Sequence, residues 1–147
     1  MPIDVSKMTL PELFKHIDEV PLKGKPAALT AIANLRKDLK DLLYYTFRKD
    51  VQFELPAGAP PFRKMDVPAN MGLNRLPAEM KKFQYFITGT KLDKIRREKM
   101  FIELLEAISP EEADLVLMVK EKKFASYKSI TRKLAEQAVP EIFKGEK

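Results

Sequence analysis

The chain has 147 residues, a length at which one domain of common size can bury a substantial core. Its composition, 45% hydrophobic and 33% charged with no cysteine, is typical of a globular protein and excludes a disulfide scaffold, a thiolate metal site and a cysteine nucleophile. The net charge of +6 favours a polyanionic partner, but the basic residues form no tail or block.

The N-terminal part, residues 1–49, predicts two helices. Thr9 is followed three residues later by Glu12, which is the pattern of a capping box at a helix start. A longer helix is predicted to begin near Pro26 and to continue for about six turns, because apolar residues recur at helical spacing as far as Phe47.

Residues 50–75 contain a density of prolines that excludes a regular helix. Apolar residues recur among the prolines, so we expect an ordered Pro-rich strap that lies across the helices. Two interpretations stay open. The strap closes the fold, or it presents an extended segment to a partner, for which the candidate residues are Pro60, Pro61 and Phe62.

The C-terminal part, residues 76–143, predicts four helices: at about 77–88, at about 90–107, after Ser109, and after a short turn that ends at Ser129. Serine, proline and two glutamates at 109–112 form the strongest of these helix-start signals. The whole chain is therefore predicted to be mainly α-helical. We expect a single domain over 1–147, a compact bundle of about five to six helices with the strap between its two halves.

The sequence contains almost no pattern that is typical of a catalytic or metal-binding site. The sequence has one histidine, His16, no glycine-rich phosphate loop and no serine in a nucleophile elbow. The clustered carboxylates have helix-capping or surface explanations. We therefore predict no catalytic, cofactor-binding or metal-binding residue, and no enzymatic activity.

Basic residues near the C-terminal helices suggest contacts to nucleic acid. A helix, a short turn and a basic second helix give the outline of a helix-turn-helix, although two short packed helices of any kind satisfy that outline. The candidate nucleic-acid contacts are Arg96, Arg97, Lys122, Lys123, Lys128, Arg132 and Lys133.

Three segments carry a resemblance to known proteins: VQFELPAGAPPF at 51–62, REKMFIELLE at 97–106 and SPEEA at 109–113. Over about residues 40–143 the chain resembles a small uncharacterised protein family of tailed bacteriophages. The resemblance implies a phage origin and a host-cytoplasm setting, and it carries over no catalytic residue. The chain departs from the family pattern at residues 125–126, where a tighter turn is expected.

These observations predict a non-enzymatic accessory protein that binds a phage or host macromolecular partner as an adaptor or modulator. Two alternatives stay open: a nucleic-acid-binding protein that uses the C-terminal helix pair, and a structural component of the virion. No stretch approaches the roughly 18 apolar residues of a membrane span, and the N-terminus lacks the order of a signal peptide. We therefore expect no membrane association, no cofactor and a location inside the host cell.

Overall fold

The computed structural model describes residues 4–64 and 75–146. Within these ranges it is mainly helical and contains no strand, which confirms the predicted fold class. The α-helices are α1 (Leu10–Glu19), α2 (Lys25–Leu35), α3 (Lys37–Phe47), α4 (Leu76–Glu79), α5 (Lys94–Ala107), α6 (Pro110–Lys120) and α7 (Arg132–Ala138). Short 3₁₀ helices lie at Val5–Lys7, Leu22–Gly24, Met80–Tyr85 and Pro140–Phe143. None of the helices in the described ranges has the length and apolar character that a membrane span requires.

Both strong capping signals are confirmed. The Thr9 hydroxyl accepts the Glu12 amide at the start of α1, and Ser109 and Glu112 form the same reciprocal pair at the start of α6. The Glu112 carboxylate is fully buried and also accepts the Leu76 amide at 2.8 Å. The cap of α6 therefore fixes the start of α4 as well.

The prediction of one six-turn helix after Pro26 is wrong. The chain bends at Arg36, whose extended backbone (φ −127°, ψ 92°) separates α2 from α3. The Arg36 guanidinium donates to the carbonyls of Val5 and Met8, at 2.9 and 2.5 Å, and pairs with Asp38. The apolar spacing is helical on both sides of the bend, so periodicity alone does not reveal it.

The segment after α4 is a 3₁₀ helix over Met80–Tyr85, and not the predicted α-helix to about residue 88. The buried residues Met80 and Phe83 of this helix, and Phe86 directly after its end, recur every third position. That spacing aligns them on one side of a 3₁₀ helix, which has three residues per turn. The next helix, α5, begins one turn later than the predicted 90, because Asp93 is its cap and accepts the Arg96 amide at 2.9 Å.

The hydrophobic core draws side chains from every α-helix of the described ranges. Helix α2 packs against α1, α3 and α7, while α3 also packs against α6 and α7, and α5 packs against α6. Phe124, in the connection between α6 and α7, inserts into this core with its ring centroid 4.7 Å from that of Phe14. The connection after α6 is therefore anchored at its middle.

The described part of the strap, residues 51–64, is irregular and is held by hydrogen bonds along its length, as predicted. The Glu54 amide donates to the Phe86 carbonyl at 2.6 Å, and the buried Lys120 ammonium donates to the Pro56 carbonyl at 2.8 Å. The Arg63 amide donates to the Glu106 carboxylate at 2.7 Å. The rest of the predicted strap, 65–74, lies outside the described residues.

Leu39 tests the position of this core, because its side chain is completely buried in α3. Replacing Leu39 with Ala should lower the free energy of unfolding by about 2–5 kcal/mol, through lost apolar contact and the cavity that remains. Leu35→Ala is the matched control, since Leu35 is 69% exposed at the end of α2. It should change the free energy by about 0.5 kcal/mol or less. Urea denaturation measures both, and equal effects would contradict this placement of the core.

Candidate binding groove

Helix α6 ends in a Schellman motif. The Lys123 amide donates to the Met118 carbonyl at 3.1 Å, and the Lys122 amide donates to the Val119 carbonyl at 3.0 Å. Lys122 has φ 65°, the only positive φ of a non-glycine residue in the described ranges. Glycine usually occupies this position, because a side chain there costs about 1–2 kcal/mol. A lysine at this position therefore needs a compensating contact.

The Lys122 ammonium supplies that contact. It donates to the carbonyls of Tyr45 at 3.0 Å, Arg48 at 2.7 Å and Val51. The first two lie at the end of α3, where backbone carbonyls lack helical partners and favour a positive charge. The ammonium thus caps α3 and ties the start of the strap to the turn after α6. Burial lowers the pKa of Lys122 to about 8.

Arg132, the first residue of α7, is held in a second set of contacts. Its guanidinium donates to the Phe47 carbonyl at 2.6 Å and to both carboxylate oxygens of Glu146, at 2.8 and 2.5 Å. It also lies 4.5 Å from the centre of the Phe143 ring. The same carboxylate accepts the Lys49 amide at 2.6 Å. These contacts, with that of Arg132 first, lower the pKa of Glu146 to about 2.

These two sets of contacts border a recess of about 630 Å³ between the end of α3 and the connection after α6. Phe47, Phe124 and Ile130 form an apolar floor. Five cations surround the floor: Lys49, Lys122, Lys123, Lys128 and Arg132. No acidic residue of the described ranges lines the recess. We call this recess the basic groove.

Three of the five cations point to solvent. Lys49, Lys123 and Lys128 are exposed, and none of them forms an ion pair with a carboxylate in 4–64 or 75–146. Lys122 and Arg132 instead direct their donors to the backbone and to Glu146. The groove therefore combines two cations that stabilise its walls with three that can meet a ligand.

The structure brings four of the seven predicted nucleic-acid contacts together in this groove, and three lie elsewhere. Arg96 is exposed on α5 and 3.7 Å from Asp93. Arg97 donates to the backbone carbonyls of Glu54 and Leu92, at 2.5 and 2.8 Å. Lys133 is exposed on α7 but does not line the groove.

The predicted short turn between the last two helices is wrong. Residues 121–131 separate α6 from α7, and Thr131 caps α7 by accepting the Leu134 amide. Ser129, the predicted start, instead bonds through its hydroxyl to the Asp18 carboxylate at 2.5 Å, which lowers the pKa of Asp18. A helix-turn-helix has a turn of about three to four residues, so this pair does not have its geometry.

The candidate residues of the strap lie apart from the basic groove. Pro61 is exposed, whereas Pro60 is half-buried and Phe62 packs against the core. Pro60 and Pro61 border a cleft of about 180 Å³ between the strap and α5. The strap thus packs on the fold, and its use by a partner stays a prediction.

A family model of unknown function, DUF6433, matches residues 23–126, about seven tenths of the chain. The chain belongs to DUF6433. No curated protein and no solved structure matches the chain. The expected membership of an uncharacterised family is therefore confirmed. The DUF6433 match includes Lys49, Lys122 and Lys123, while Lys128, Arg132 and Glu146 lie beyond its end.

The floor of this DUF6433 groove was not predicted as a site, and neither were two charged residues, Lys49 and, at the edge of the groove, Glu146. Both belong to the contact that joins the end of α3 to the C-terminal segment, and 97 positions separate them along the chain. Nothing local marks either residue, because each lies among other charged residues.

The described ranges hold no group of three or more histidine, aspartate or glutamate side chains that could hold a metal ion. The expectation that the DUF6433 protein lacks enzymatic activity stays a prediction.

The low pKa of Glu146 gives a pH dependence with a definite sign. Its carboxylate titrates at about 2 in the folded protein and has an ordinary value of 4.5. The unfolded chain therefore takes up the proton first as the pH falls. The stability that ionised Glu146 contributes is complete above about pH 4.5 and is lost between there and about pH 2.

Glu146→Gln should accordingly lose less stability than the wild-type protein across that range of pH. Thermal melts at a series of pH values measure the difference. Glu103→Gln is the control, because Glu103 is exposed on α5 and forms no ion pair with a cation of the described ranges. If Glu146→Gln and the wild-type protein lose stability in parallel, the carboxylate does not stabilise the wall of the groove.

Proposed function

We propose that this DUF6433 protein is a non-enzymatic accessory protein that binds a protein partner through the basic groove. The observation that carries the proposal is the combination of an apolar floor with a cationic rim that lacks acidic residues. The apolar surface that remains exposed in the groove, that of half-buried Phe47 and of Ala125, gains free energy when a partner side chain covers it. Charges at the rim orient the partner and increase its rate of association.

The contacts of Lys122 support binding over catalysis. A lysine with a lowered pKa in a recess is a natural candidate for acid–base or nucleophilic chemistry. The Lys122 ammonium has three hydrogens, and the backbone carbonyls of Tyr45, Arg48 and Val51 accept all three. Its position therefore suits a structural clamp and leaves no donor for a substrate.

The biological setting that we propose is a tailed bacteriophage in the cytoplasm of its host, with a phage or host protein as the partner. This part of the proposal rests on the resemblance of residues 51–62 and 97–113 to small phage proteins. Binding proteins of this size commonly act by docking on a larger assembly, and the analogy is one of protein class alone.

Nucleic acid is the second candidate partner, because four of the predicted phosphate contacts do gather in one groove. Lys122 and Arg132 nevertheless direct their N–H donors to groups of the protein itself. Only the three exposed lysines of the groove are then available to contact phosphates. Binding to nucleic acid would weaken steeply with salt, since each neutralised phosphate releases counterions.

Affinity capture from infected cells tests the proposal, with nuclease treatment and with a groove variant in parallel. The variant carries Lys123→Glu and Lys128→Glu, two exposed positions at the rim. The control carries Lys91→Glu and Lys94→Glu, which make the same charge change at the start of α5, where acidic residues suit a helix.

We expect wild type and control to retain one stoichiometric partner protein after nuclease. The groove variant should retain about tenfold less, which corresponds to roughly 1.4 kcal/mol of binding free energy. Partners that disappear with nuclease would favour nucleic acid. Equal recovery by the groove variant would exclude the basic groove as the docking surface.

A further inference from the structure

A carboxylate of the chain itself, that of Glu146, is bound at the edge of the groove by two residues that line it. The Glu146 carboxylate accepts hydrogen bonds from both terminal nitrogens of Arg132, at 2.8 and 2.5 Å. It also accepts one from the Lys49 amide at 2.6 Å. Both donor residues line the groove. A bidentate pair of a guanidinium and a carboxylate is among the stronger polar contacts in proteins. The wall of the groove is thus built to recognise this chemical group.

The residues beside Glu146 show how an apolar group accompanies that carboxylate. Phe143 lies three positions earlier and places its ring 4.5 Å from the Arg132 guanidinium. The C-terminal segment 143–146 therefore docks at the edge of the groove through one aromatic ring and one acidic side chain. Beyond this segment the groove continues with the same two chemistries, an apolar floor and exposed lysines.

We infer that the partner segment recognised by the basic groove is an acidic peptide with an interspersed apolar side chain. Its carboxylates meet Lys49, Lys123 and Lys128, and its apolar side chain covers the floor. This inference rests on the proposed function and specifies the partner's chemistry. It follows from charge complementarity and from the binding of the Glu146 carboxylate by Arg132 and Lys49, two residues that line the groove.

The aromatic rings of the floor favour a peptide over a nucleic acid. Stacking of bases requires exposed ring faces. Phe124 is only 2% exposed, and its ring centroid lies 4.7 Å from that of Phe14 and 5.4 Å from that of the nearly perpendicular Phe47 ring. Ile130 is 3% exposed. The exposed apolar surface of the groove therefore comes from half-buried Phe47 and from Ala125, an area that suits one apolar side chain and not a row of stacked bases.

Fluorescence anisotropy with defined probes tests the inference on the full chain. The acidic probe is a labelled peptide of repeated Glu-Glu-Phe, and the neutral probe has Gln for every Glu. A labelled oligothymidylate of similar length represents nucleic acid. For this experiment the groove variant carries glutamine at the same two positions, Lys123→Gln and Lys128→Gln. These changes remove charge and retain most of the side-chain length. The control carries Lys91→Gln and Lys94→Gln.

We expect the acidic probe to bind wild type and control equally. We expect about tenfold weaker binding of the neutral probe to wild type, and of the acidic probe to the groove variant. An excess of the acidic peptide should also displace the natural partner from wild-type protein in the capture experiment. Circular dichroism melts establish that each variant is folded.

Equal affinity for the acidic and neutral probes, or equal binding of the acidic probe by the groove variant, would overturn the inference. Exclusive binding of oligothymidylate would do the same. These failures are separable from failure of the proposed function. If the natural partner needs the groove but the acidic peptide does not displace it, the docking surface stands and the inferred chemistry is wrong.

Discussion

The Lys122 ammonium holds the end of α3, the start of the strap and the turn after α6 in one arrangement, and the basic groove depends on it. Its three carbonyl partners come from Tyr45, Arg48 and Val51, more than seventy positions away along the chain. A left-handed lysine costs about 1–2 kcal/mol, while hydrogen bonds to a charged group contribute about 1.5–3 kcal/mol each when well formed. The side-chain contacts oppose both this backbone strain and the desolvation that lowers the pKa of Lys122, and they fix the position of the turn.

Three further contacts hold the segments that border the groove in place around Lys122. Phe124 anchors the connection after α6 in the core, Arg132 ties the start of α7 to the Phe47 carbonyl, and Glu146 joins Arg132 to the Lys49 amide just past the end of α3. Lys122 and Arg132 direct their N–H donors toward the protein. The exposed lysines beside them keep their charges available. The five basic residues of the groove thus have two roles. Lys122 and Arg132 stabilise its walls, and Lys49, Lys123 and Lys128 are available to bind a partner.

The parts of the fold that could be predicted are those that few adjacent residues determine. The two capping boxes, at Thr9 and Ser109, each need four consecutive residues and appear where the sequence placed them. The bend at Arg36 could not be predicted, because the contacts that hold it come from Val5 and Met8, 31 and 28 positions away. Helical spacing continues through the bend and conceals it.

The candidate site shows the same division. Clusters of lysine and arginine in the sequence indicated four residues of the groove, but composition does not tell whether a cation faces solvent or the protein. Lys122 and Arg132 face backbone carbonyls that only the folded chain brings near. The groove itself exists because α3 and the connection after α6 meet, a contact for which the sequence holds no local signal.

Hydrogen exchange of the Lys122→Gly variant, followed by NMR, tests the clamp most directly. Glycine retains the left-handed turn without strain, so the variant removes the side chain and its ammonium while the turn itself is kept. We predict faster exchange at the amides of Arg48 and Val51, which donate to the Tyr44 and Arg48 carbonyls, with little change at the Lys123 amide inside the turn. Unchanged exchange at Arg48 and Val51 would contradict the claim that Lys122 holds α3 and the strap together.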